Sequence, residues 1–205
     1  MKKSLTLGMA AFLLLTACDT PASLVKAVKV LEGTDSSSGS SNTVTASKTW
    51  PSTVKKIDVK TKQTVSVQGN FDNSVEVSDL SWASSSSMAC FPATQNSKFR
   101  GYHAFYSVEM PARTEMVIRV IPKDSSANMS LYAYQIGTTR FDIPPKVASA
   151  VSCEASFQDN VARVGQPGFH RVVTLNATTN PYNVLIGVTG PADVDGEYTL
   201  EIELK

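Results

Sequence analysis

The sequence predicts an all-β fold, an antiparallel β-sandwich that follows a signal peptide and a flexible tether. Three observations predict it. From Gln63 onward, apolar residues recur at every second position in short runs, the period of a strand rather than of a helix. Gly, Pro and Asn separate those runs at near-regular spacing, as in sandwiches and barrels. No stretch of the body carries a convincing helical stripe with caps.

The chain has 205 residues and divides on the page into three segments. Residues 1–17 open with Lys2-Lys3, continue through an apolar run over 5–15 and end in small residues, the pattern of a secretory signal. The uncharged run over 4–17 is shorter than the ~20 apolar residues a spanning helix needs. Residues 18–62 read as a tether, with Ser36-Ser37-Ser38-Gly39-Ser40-Ser41-Asn42 as a flexible linker composition. The apolar patch over 24–31 interrupts it and fits a brief helix or a strand equally well. Trp50-Pro51 and residues 57–59 read as an onset of folded structure ahead of the first clear strand. Residues 63–205 form the sandwich domain, long enough to bury a core of its own.

Within that domain, strands are predicted over 64–68, 74–80, 102–110, 116–121, 131–136, 172–175, 184–188 and 198–204. Pro111 and Pro122 stop the third and fourth runs and Gly137 closes the fifth. The last is the clearest: Tyr198, Leu200, Ile202 and Leu204 share one side and Thr199, Glu201 and Glu203 the other, as in a strand with one wet face.

Leu15-Thr16-Ala17-Cys18 resembles the lipobox of bacterial lipoproteins. That resemblance implies cleavage before Cys18, a thioether diacylglycerol on its sulfur and an acyl chain such as palmitate on its new amine. Two or more acyl chains hold a protein on a bilayer stably, at roughly 0.8 kcal/mol per buried CH₂. The implied location is the bacterial cell envelope, with the domain facing the periplasm or the exterior. Asp19 resembles an enteric-type signal for inner-membrane retention, Thr20 adds nothing to it, and both membranes stay open.

Thr114-Glu115-Met116-Val117-Ile118-Arg119-Val120, Ser130-Leu131-Tyr132-Ala133-Tyr134 and Gly196-Glu197-Tyr198-Thr199-Leu200-Glu201-Ile202 resemble strand motifs of the bacterial pre-peptidase C-terminal domain. The likeness spans roughly residues 99–205 and implies a small jelly-roll-like sandwich. Asn128-Met129-Ser130 stands where an acidic residue often precedes the Leu-Tyr strand in that family. No peptidase domain precedes the motifs in this sequence, so no peptidase activity carries over.

The formal net charge is +1. Removing residues 1–17 takes Lys2 and Lys3 with it and leaves −1, a balance that argues against nucleic acid and against electrostatic lipid binding. Of three cysteines, lipidation would consume Cys18. Cys90 and Cys153 are then two thiols in an oxidising compartment, where a disulfide is the default.

The remaining candidates for chemistry are sparse, and no cofactor is expected. Asp193 and Asp195, beside Gly196, are the best metal candidates, because closely spaced carboxylates and a sharp turn suit calcium; an Asp-Gly turn explains the same residues. The serines at 84–87 lack the Gly-x-Ser-x-Gly elbow of hydrolases and read as a polar loop. His103 and His170 read as surface or edge residues. Tyr102, Tyr106, Tyr132 and Tyr134, with Phe105, are candidate ligand-binding aromatics that an exposed face would use to stack on sugars or anchor a protein. The expected function is a non-enzymatic interaction or structural module of the cell envelope, tethered by lipid, with an envelope protein or a glycan as partner. The alternatives are a carbohydrate-binding module using exposed aromatics and an envelope hydrolase with a site assembled from distant residues.

Overall fold

The computed structural model describes residues 49–159, 165 and 167–205. The signal segment, Cys18, the serine-rich run and the apolar patch over 24–31 lie outside the described residues. Strand β1 spans Val54–Lys56, β2 Gln63–Gly69, β3 Ala104–Met110, β4 Thr114–Pro122, β5 Ser130–Ile136, β6 Ser152–Ser156, β7 Arg171–Ala177, β8 Tyr182–Thr189 and β9 Tyr198–Leu204. One sheet has the order β1-β3-β8-β5-β6 and the other β2-β9-β4-β7. All named pairs are antiparallel except β1 with β3. The predicted all-β sandwich is what the chain forms.

The four-stranded sheet follows the alternation closely. In β4 the inward set Met116, Ile118 and Val120 is buried, and in β9 so are Tyr198, Leu200, Ile202 and Leu204. Arg119 and Glu203 face outward and pair at 3.1 Å. These residues meet Tyr106, Val108, Leu131, Ala133, Val184, Ile186 and Val188 of the five-stranded sheet to make the core between the sheets.

The five-stranded sheet is buried on both faces. The second parity of its strands, Phe105, Tyr132, Tyr134, Ile136 and Leu185, packs into another apolar cluster with Trp82, Phe91 and Phe99. Those three come from the segment between β2 and β3. It holds a short helix α1, Ser81–Ser85, and a 3-10 turn over Ala93–Lys98. The segment predicted as a strand over 74–80 is therefore a correction. Only Val75 bridges the sheet, opposite His103, and the rest turns outward so that Val77, Leu80 and Trp82 can cover β5 and β8. Tyr132 lies directly across Gly187, where an added Cβ would come within 2.1 Å of its ring, so that strand position admits no side chain.

Folded structure also begins earlier than Gln63. Val54 and Ile57 are buried, β1 pairs with residues 105–107, and Trp50 packs edge-on against Phe141. The first long alternation starts at Gln63, and the three residues of β1 are too few to show one. Strand β6 was missed for the same reason: its five residues are all half-exposed or exposed.

Cys90 and Cys153 are bonded, with Cα atoms 5.1 Å apart. The bridge ties the covering segment to β6. Closing a 63-residue separation removes chain entropy worth roughly 4 kcal/mol from the unfolded state. Replacing both cysteines by alanine should lower the unfolding free energy by about 2–4 kcal/mol and shift the urea midpoint accordingly. An unchanged midpoint would show that packing alone holds the cover.

Candidate functional site: a polar groove and a buried histidine

An open groove of about 1050 Å³ runs where the β1 edge of one sheet meets the end of β2 in the other. Polar and apolar surface share its walls: Ala104 and Phe105 of β3 lie beside Ser52 and Thr53 before β1, Lys55 on it, Gln68 and Gly69 at the end of β2, then Asn70 and Asn73. Lys123 and Glu197 close the far side as an exposed ion pair. Their hydrogen bond and mutual charge raise the Lys123 pKa. Tyr106 reaches the groove from β3, and its hydroxyl lies 2.9 Å from that of Tyr198. Burial raises the pKa of both phenols, so both stay protonated at neutral pH. The pair has two O–H donors and one shared bond, which leaves one phenolic proton for another acceptor. Gly69 covers this pair closely; a Cβ there would meet the Tyr106 hydroxyl and the Tyr198 ring at 2.5 Å. The groove thus offers amides, hydroxyls, two lysines and a carboxylate to a ligand.

The predicted aromatic platform does not exist. Tyr106, Tyr132 and Tyr134 are buried, while Tyr102 is about half exposed (49%). Tyr106 points between the sheets, and Tyr132 and Tyr134 point under the covering segment. The sequence signal was present: residues 131–136 are apolar at both parities, as in a strand covered on both faces.

His103 is buried, not at a surface or edge. Its Nδ1 lies 2.9 Å from the Tyr132 hydroxyl and its Nε2 lies 3.0 Å from the Phe99 carbonyl oxygen. A carbonyl only accepts, so Nε2 carries the proton and Tyr132 donates to Nδ1. Both nitrogens are engaged, which removes His103 as a base for any serine. The serine run is likewise structural. Ser85 Oγ donates to Ser81 O, Ser86 Oγ to Met88 O and Ser87 Oγ to Ala150 O. His170 sits half-exposed between the 167–169 turn and β7. Asp193 and Asp195 are exposed, and Asp195 Oδ1 accepts the Gly196 N–H at 2.7 Å. Gly196 has φ +113°, so the two aspartates belong to a turn that needs glycine. Among the described residues, no group of three or more His, Cys, Asp or Glu side chains gathers as metal ligands.

No protein-family model matches the chain, and no curated protein matches it. Several solved structures are similar to it, three of them as follows. The pre-peptidase C-terminal domain of a Bacillus anthracis collagenase shares 10% identity at a TM-score of 0.35, covering 74% of this chain and 94% of that one. A periplasmic inhibitor of g-type lysozyme from Aeromonas hydrophila shares 11% at 0.37, covering 74% and 97%. A surface-associated copper-binding protein of Methylomicrobium album BG8 shares 10% at 0.38, covering 74% and 98%. Likeness at these values assigns the chain to no family.

Burial lowers the His103 pKa to about 4, against about 6.5 in an unfolded chain. The unfolded state therefore binds the extra proton between those values, and stability falls as pH drops from about 6.5 toward 4. Linkage puts the loss at roughly 3 kcal/mol. Urea titrations at pH 7 and pH 4.5 should show this slope in the wild type and a clearly shallower one in His103→Gln. Equal slopes would mean that His103 is not the group responsible.

Proposed function

We propose that this chain is an exported lipoprotein whose β-sandwich is a non-enzymatic binding module of the bacterial cell envelope. The observation that carries the reading is the pairing of Cys90 with Cys153. Such bonds persist in oxidising compartments, and this one consumes the two cysteines of the folded body. Cys18 is left, in the Leu-Thr-Ala-Cys sequence that resembles a lipobox. The acyl groups on Cys18 anchor the protein. Among the described residues no helix is long and apolar enough to cross a bilayer.

The binding assignment is supported by how the polar side chains are used. His103 and Ser87 are engaged in holding the covering segment. The groove at the β1–β2 edge presents amides and hydroxyls to solvent. Its ligand is an envelope protein or a glycan bound through hydrogen bonds. Stacking on the tyrosines is no part of this, because they are buried.

A clickable fatty acid fed to cells should label the wild type and not Cys18→Ala, and the variant should leave the membrane fraction. Equal labelling of both would overturn the anchor.

A further inference from the structure

Sheet edges carry unpaired backbone groups, and proteins protect them with charge, shortness or cover. Among the described residues, three of the four edges are protected. Strand β1 has three residues, two of them Lys55 and Lys56. Strand β6 carries Glu154 and the disulfide. Strand β7 begins at Arg171 and lies against β6, where Val172 N–H donates to Ser156 Oγ at 3.3 Å.

Strand β2 is different. Its seven residues, Gln63-Thr64-Val65-Ser66-Val67-Gln68-Gly69, include no charge and no proline. The direction of its free groups follows from the ladder. Glu115 and Lys205 exchange both backbone bonds, at 3.3 and 2.9 Å, so Lys205 faces β4. Backbone groups alternate sides along a strand, so Leu204, Ile202, Leu200 and Tyr198 face β2. The Leu204 carbonyl accordingly accepts from Lys62 N–H. Val65, Val67 and Gly69, the partners of Ile202, Leu200 and Tyr198, spend their backbone groups on β9, while Gln63 N–H donates to the Lys60 carbonyl at 3.1 Å. Thr64, Ser66 and Gln68 therefore turn theirs outward, and all three residues are exposed.

We infer that β2 is a self-association edge, and that its occupant is β2 of a second copy of this chain, antiparallel about a two-fold axis at Ser66. The sequence is self-complementary about that residue. Ser66 meets Ser66 of the second copy, Thr64 meets Gln68, and Val65 meets Val67. Each of the outward-facing pairs, Ser66 with Ser66 and Thr64 with Gln68, then exchanges two N–H···O bonds. No like charges oppose one another. Val65 and Val67 pack against the core but stay partly exposed, and the second copy's valines cover what remains. The register is fixed by the valines, since a slip of one residue would set valine against serine on opposite faces. The product is a continuous eight-stranded sheet with isologous symmetry.

The test uses the full chain expressed in a bacterial envelope. At the axis, a bonded antiparallel pair holds its Cα atoms about 5.5 Å apart, within disulfide reach. Ser66→Cys should therefore give a covalent dimer on non-reducing gels after mild oxidation. Thr64→Cys, equally exposed but off the axis, should give at least tenfold less. In detergent, the wild type should sediment at twice the chain mass, and Ser66→Lys, which sets two ammonium groups face to face, should sediment as one chain with its circular-dichroism spectrum unchanged. A wild type that stays monomeric at all concentrations, equal crosslinking at positions 64 and 66, or a dimer that survives Ser66→Lys would each overturn the proposal. So would a wild type that is monomeric yet binds an extended peptide of another protein along β2.

Discussion

The five-stranded sheet has apolar side chains on both faces, and the rest of the molecule is arranged around covering them. Strands β5 and β8 are buried almost throughout. One face is covered by the other sheet. The second needs a lid, and the chain supplies it from the stretch between β2 and β3. Fully burying side chains the size of Trp82, Phe91 and Phe99 is worth roughly 2–3 kcal/mol each before ordering costs. A loop of this length loses much of that gain to conformational entropy. The disulfide to β6, the serine contacts to 148–150 and the His103 bond to the Phe99 carbonyl each hold the lid at a different place.

That requirement explains what could be read from the sequence and what could not. The four-stranded sheet has one wet face, so alternation showed directly in Tyr198 to Leu204 and in Met116 to Val120. The other sheet has no wet face at its centre. Tyr132 and Tyr134 then looked like candidates for an exposed platform, although Leu131 and Ala133 between them already implied burial on both sides. The lid was hidden more deeply. Its aromatics are scattered among serines and prolines, and no periodicity marks a segment whose burial depends on a partner far along the chain. The disulfide was legible because it depends on compartment and cysteine count rather than on geometry. Of the site, Asp193 and Asp195 suit a calcium ion and an Asp-Gly turn alike in sequence, and the structure shows the turn around Gly196. The groove was not foreseen, because it is assembled from five separate stretches of chain.

His103 shows how a polar group is tolerated within such a lid. An imidazole buried without partners would be costly. Here each nitrogen has one, and the arrangement also satisfies Tyr132, whose hydroxyl would otherwise be an unpaired donor under the lid. The cost is that the site is fixed in one protonation state, so a group that titrates near neutrality elsewhere becomes a structural fastener. The same economy governs the other buried phenols. Tyr106 and Tyr198 satisfy one another across the sheets, and Tyr134 comes within 3.4 Å of Ser86 Oγ.

Gly69 joins the two surfaces on which function is proposed. It ends β2, and it has no side chain because Tyr106 and Tyr198 occupy the space where a Cβ would stand. The tyrosine pair thus sets where the edge strand stops and where the groove begins. Pairing along β2 by a second copy would place that copy's Lys62 and Gln63 beside Gly69, at the mouth of the groove on the first. By symmetry the relation holds in reverse, so each copy would contribute to the rim of the other's groove. Association and ligand binding would then be coupled through one short stretch of backbone: a ligand that bridges the rim favours the paired state, and pairing in turn favours that ligand by the same free energy.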